Sequence, residues 1–74
     1  MSFDYRKLKG RIVEKFGSQE KFASKLGCST RTLSLKMNGK ISWKQDEIIK
    51  AINMLELSEN DIQEYFFNVK VQNI

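Results

Sequence analysis

One cysteine, no histidine and no long hydrophobic run mark this 74-residue sequence by what it lacks. A single thiol, Cys28, closes no intramolecular disulfide, and without histidine beside it no zinc site assembles. Neither staple used by small domains is available, and no metal or other cofactor is expected. The lone thiol fits a reducing cytosol. The N-terminus has no apolar stretch of the kind found in signal peptides or membrane spans, which points to a cytoplasmic, soluble protein with no membrane partner. Enzyme chemistry finds no foothold: there is no glycine-rich phosphate loop and no pair of acids set in a cleft. Cys28 stands near a helix start, where thiol pKa values fall, yet it lacks a basic partner of catalytic type. The length allows one domain, held together by helix packing.

What the chain does contain is organised around residues 18–40, SQEKFASKLGCSTRTLSLKMNGK. Ser18 is placed to cap a helix whose Phe22, Ala23 and Leu26 recur on one face, and Gly27 supplies the left-handed residue that ends it. A second helix follows at once. Cys28, Ser29 and Thr30 offer a side-chain oxygen to its first amides, Leu33 and Met37 give it a buried side, and Asn38-Gly39 stops it. The pair has the form of a helix-turn-helix, in which the second helix enters the major groove of DNA. Ala23 fits the close crossing of the two helices, where only a small side chain has room.

Charge is distributed unevenly. Residues 1–40 carry ten basic side chains against three acidic ones, whereas residues 41–74 carry three against six. A polyanion is drawn to the first half and repelled by the second, a footprint of nucleic-acid binding.

The remaining elements frame the central pair. Tyr5, Leu8, Ile12 and Phe16 describe an amphipathic first helix, capped by Ser2 or Asp4 and ended by Gly17, which leaves Arg6, Lys9 and Arg11 in solvent within reach of a flanking phosphate. Ser42 is expected to cap a fourth helix with Asp46 and Glu47 in its first turns and Ile48, Ala51, Ile52 and Leu55 inward. Trp43 is expected to close the core. Ser58 and Asp61 form a near capping box for a short fifth helix, with Ile62, Tyr65, Phe66 and Phe67 sealing the core or partly exposed as a dimer interface. Residues 1–68 thus make one helix-turn-helix domain. Residues 69–74 alternate like a strand with no visible mate, so the tail is disordered or pairs with another molecule.

Sorting the third helix at roughly 100° per residue, with Leu33 and Met37 inward, leaves Arg31, Ser34, Leu35 and Asn38 outward and Thr30 and Lys36 on the flanks. Thr30, Arg31, Ser34 and Leu35 are the candidate base readers: arginine for guanine, serine for either partner, leucine for a thymine methyl. Gln19, Ser29, Lys36, Asn38 and Lys40 are the candidates for phosphate.

Gln19, Ala23, Gly27, the helix start Ser29 to Thr32, Leu33 and the closing Asn38-Gly39-Lys40 resemble the helix-turn-helix of the lambda-repressor and Cro family. The longer phrase RTLSLKMNGKISWKQDEI with a later YFF is similar to small regulators of temperate phages of Gram-positive bacteria, both Cro-like proteins and the modulator-of-repression type. The resemblance implies an all-α, compact five-helix lambda-repressor-like DNA-binding domain with the helix-turn-helix formed by helices 2 and 3, acting in the lysis-lysogeny switch of a bacterial host. It places the helix-capping, phosphate-contacting glutamine at Gln19 and the base readers at Thr30, Arg31, Ser34 and Leu35. One departure stands out, because the family places an apolar residue three after Leu33, where this chain has Lys36. Two functions follow. The main expectation is a Cro-like repressor on double-stranded operator DNA, a monomer or weak homodimer in solution. The alternative is a modulator of repression that binds the cognate phage repressor, with Leu35 as apolar anchor and Arg31 at the rim.

Overall fold

Asp4 turns the chain into its first helix: the carboxylate accepts the N–H of Arg6 at 3.0 Å and pairs with the Arg6 guanidinium at 2.7 Å. The computed structural model describes residues 3–69, so the expectation of Ser2 as a cap and the tail beyond Val69 lie outside the described residues. Five α-helices follow one another: α1 (Arg6–Phe16), α2 (Gln19–Leu26), α3 (Thr30–Met37), α4 (Gln45–Met54) and α5 (Ile62–Phe66), the last preceded by a 3-10 turn at Glu59–Asp61. Among the described residues no strand forms and no helix is long and apolar enough to cross a membrane.

The expected signals at both ends of α2 and α3 operate, as does Gly17 at the end of α1, but α1 starts from Tyr5 with no side-chain cap, so Asp4 is not its capping residue. Ser18 accepts the N–H of Lys21 and Ser29 that of Thr32, each satisfying one of the orphan donors of a helix start. Gly27, at φ 96°, reverses the chain between α2 and α3 in a region where a side chain is strained. At the end of α3, Gly39 (φ 77°) lets the N–H of Lys40 reach the Leu35 carbonyl at 2.8 Å, a Schellman closure.

The fourth helix departs from expectation at its start. It begins at Gln45, and Ser42 is not its cap; the Glu47 carboxylate reaches back to the Lys44 N–H at 2.9 Å instead. Its end is a Schellman closure like that of α3, with Leu57 N–H to Ile52 carbonyl at 2.8 Å, but Glu56 occupies the left-handed position (φ 56°) where glycine is the usual choice.

Leu8, Ile12, Phe22, Ala23, Leu26, Leu33, Ile48, Ala51, Ile52, Leu55 and Phe66 form one core. Phe16 packs edge-on against Phe22 at 5.2 Å, and Trp43 edge-on against Phe66 at 5.1 Å, so the tryptophan closes the core as expected. The start of the tail does find a mate within the chain. Val69 makes an antiparallel bridge with Phe3, and the Asp4 N–H donates to the Asn68 carbonyl at 2.6 Å.

Candidate partner-binding surface on the third helix

The outward face of α3 is built by its own periodicity. Leu33 is fully buried, which turns Thr30, Arg31, Ser34 and Asn38 into solvent and leaves Leu35 half-buried. These residues come together on one helix, as expected. Gln19, the first residue of α2, is half-buried, and Lys40 is exposed in the loop that follows α3.

Lys36 is a correction. Assigned to a phosphate from sequence, it is instead 3 % exposed, with its Nζ 2.7 Å from Glu47, 3.3 Å from the Ser42 carbonyl and 5.8 Å from the centre of the Trp43 ring. Its aliphatic stem takes the apolar position three after Leu33, and Met37, expected inward, is only half-buried. The ammonium tolerates that place because a carboxylate, a carbonyl and an aromatic face surround it. Ser29 is likewise engaged in capping: its Oγ lies 3.1 Å from the Thr32 N–H and 2.9 Å from the Thr32 hydroxyl.

The basic half of the chain is also less available than its composition suggests. On α1, Arg6 pairs with Asp4, Lys7 with Glu64, Arg11 with Glu14 and Lys15 with Glu56. Arg11 Nε further donates to the Leu55 carbonyl at 3.0 Å, and Lys50 Nζ to the Leu26 carbonyl at 3.0 Å, so both cations sit at helix C-termini, where the dipole favours them. Arg11, which sequence left in solvent, thus serves the fold, whereas Arg6 stays in solvent as expected, with its side chain 89% exposed. Among the described residues, Lys9, Lys21, Lys25, Arg31, Lys40 and Lys44 form no ion pair.

Burial alone would raise the Glu47 carboxyl, but the hydrogen bonds from Lys36 Nζ and the Lys44 N–H, with the charges of both lysines, bring it below its ordinary 4.5. A carboxyl held lower in the folded chain stabilises it fully above the unfolded value and loses that contribution as pH falls through the folded one. Glu56, beside Lys15, and Asp61, hydrogen-bonded by Ser58, are lowered too. Urea midpoints read from Trp43 emission are therefore expected to fall as pH drops below 4.5, and less steeply in Lys36→Met. Cys28 moves the opposite way from expectation, since burial and the Glu47 charge raise its thiol.

One feature escaped sequence reasoning. Phe3, Ile41 and Phe67, all exposed, line a groove of about 380 Å³ with Tyr5 and Trp43, beginning where α3 ends at Asn38 and Gly39. Phe3 precedes α1, Ile41 lies between α3 and α4, and Phe67 follows α5. Residues outside helices share no periodicity that would bring them together on paper; the exposed part of the YFF run was the one available signal.

The model of the family described as "Protein of unknown function (DUF739)" matches residues 1–69. The chain belongs to this family. No curated protein matches it. Among solved structures it is similar to the solution structure of the modulator of repression of the temperate bacteriophage TP901-1 from Lactococcus lactis, with 56% identity, 97% of each chain covered and a TM-score of 0.80. This match overturns the expectation of a Cro-like repressor that reads operator DNA. The all-helical fold stands, but the relative of this likeness is a modulator of repression. Of the two kinds of phage regulator the sequence resembles, the match supports the modulator kind.

Proposed function

We propose that this chain is a modulator of repression, which binds the repressor of its own phage and changes that repressor's hold on DNA. The observation that carries the reading is the 56% identity to the TP901-1 modulator over 97% of both chains. The surface best suited to the repressor is the outward face of α3. Leu35 supplies a half-buried apolar side chain among Thr30, Arg31 and Ser34, and a protein pocket uses a leucine in such a setting. Arg31, with no ion pair of its own among the described residues, is positioned to meet an acidic group at the rim. The pairing of α1 cations with the chain's own carboxylates leaves less charge for a polyanion than the sequence promised.

Calorimetry with the phage's repressor tests this. The purified chain is expected to give saturable heat with the repressor and to leave an operator fragment unshifted when the repressor is absent. Salt-dependent operator binding by the chain alone, with no heat on addition of repressor, would reject the proposal.

A further inference from the structure

Four of the large hydrophobic side chains that the fold leaves exposed gather at one place. Phe3, Ile41 and Phe67 line the groove described above, and Val69 is bridged to Phe3 at its edge. Phe3 and Phe67 meet edge-on at 5.7 Å, and Phe3 and Tyr5 lie 6.3 Å apart, so one wall is a continuous aromatic surface. The opposite wall is the loop after α3, with Ile41 and Trp43. Apolar clusters of this kind on a small soluble domain mark interaction sites rather than tolerated exposure.

Two further observations describe the occupant. The first is charge. Lys40 and Lys44 alternate in the chain with groove residues Gly39, Ile41 and Trp43, are exposed, and form no ion pair among the described residues. Of the acids nearest in sequence, Glu47 holds Lys36 at 2.7 Å, and Asp46, which accepts the Glu47 N–H at 3.0 Å, keeps its charge against the two lysines, leaving an excess of one positive charge. The rim is therefore cationic. The second is Trp43, whose Nε1 is the one buried side-chain nitrogen or oxygen without a hydrogen-bond partner among the described residues. Because that nitrogen is closed to solvent, Trp43 lines the groove through its other atoms, which suits an apolar contact.

We infer that this groove is a second contact for the repressor, taking an amphipathic segment that carries large apolar side chains on one face and acidic residues beside them. The inference rests on the reading of the chain as a repressor-binding modulator. A second copy of the chain fits less well, because it brings the same net positive rim to the contact and no excess of acids to neutralise it. An acidic amphipathic segment instead covers the aromatic wall and neutralises Lys40 and Lys44.

Trp43 is the chain's only tryptophan, so fluorine-labelled tryptophan gives one resonance to which unlabelled repressor contributes nothing. Adding repressor is expected to shift that resonance. Ile41→Asp and Phe67→Asp are expected to weaken repressor binding at least about tenfold, with helix content unchanged by circular dichroism, and Lys44→Glu to weaken it less and mainly at low salt. Ile41→Ser serves as a milder variant that keeps the loop neutral. If the wild type binds repressor while its resonance stays fixed and Ile41→Asp binds equally well, the groove proposal fails and the modulator reading survives. If the wild type binds no repressor, both fail. A homodimer in sedimentation equilibrium that Ile41→Asp abolishes would give the groove to a second copy and overturn the proposal.

Discussion

Lys36→Ala is expected to destabilise the domain by about 3 kcal/mol, whereas Lys36→Met is expected to stay within about 1 kcal/mol of the wild type. The side chain is 3 % exposed, so truncation removes a stem packed between α3 and α4 and leaves a cavity that helices cannot fully close. Truncation also leaves Glu47, with its side chain 23% exposed, holding only the Lys44 N–H from its former set of donors. Both substitutions remove the ammonium and leave the Glu47 carboxylate, so that cost is common to the two variants and the difference between them belongs to the stem. Methionine keeps the length and flexibility of the stem, removes the buried ammonium, and lets the carboxylate turn toward water while still bonded to Lys44. Urea unfolding followed through Trp43 emission ranks the three proteins. Equal losses in alanine and methionine variants would mean that the charge, not the stem, holds α3 against α4.

The same residue shows where sequence reasoning reaches its limit. A lysine three positions after Leu33 reads as a surface cation, since burying an ammonium is unfavourable unless its partners are known. Those partners, Glu47 and the Ser42 carbonyl, lie 11 and 6 residues away, and nothing local announces them. Signals contained within one turn were legible: Ser18, Ser29 and Gly39 marked ends of α2 and α3 because a cap uses neighbours only. The limits of α4 were not, and for related reasons. Its start is set by the reach of Glu47 back to Lys44, which makes the nearby Ser42 a false signal. Its end uses a left-handed Glu56, a conformation that glycine advertises and glutamate conceals, with its carboxylate tied to Lys15 at 2.7 Å. The charge asymmetry was read correctly as composition and only in part as availability. A count of lysines and arginines cannot register that Arg6, Lys7, Arg11 and Lys15 on one helix each face a carboxylate of the same chain. Placing Thr30, Arg31, Ser34 and Leu35 on one surface needed only the helical period, and that surface exists; which macromolecule it meets does not follow from the period.

Leu35→Ser is expected to weaken repressor binding by about 2 kcal/mol, roughly 30-fold, with the stability of the domain little changed. Leu35 is half-buried, so the substitution leaves the α3 core contact at Leu33 in place. The closure of the helix is also preserved, because the N–H groups of Lys40 and Ile41 bond the backbone carbonyl of residue 35, at 2.8 and 3.3 Å, whatever its side chain. Any large effect on affinity therefore belongs to the interface. An apolar anchor surrounded by polar neighbours typically dominates such a contact, while a rim charge chiefly steers encounter. Arg31→Ala is accordingly expected to act on the association rate and to lose its effect at high salt, whereas Leu35→Ser acts on the dissociation rate at any salt. Surface plasmon resonance with immobilised repressor at two ionic strengths separates the two contributions. A Leu35→Ser protein that binds the repressor with wild-type kinetics would remove α3 from the interface and leave the aromatic groove beside it to carry the contact alone.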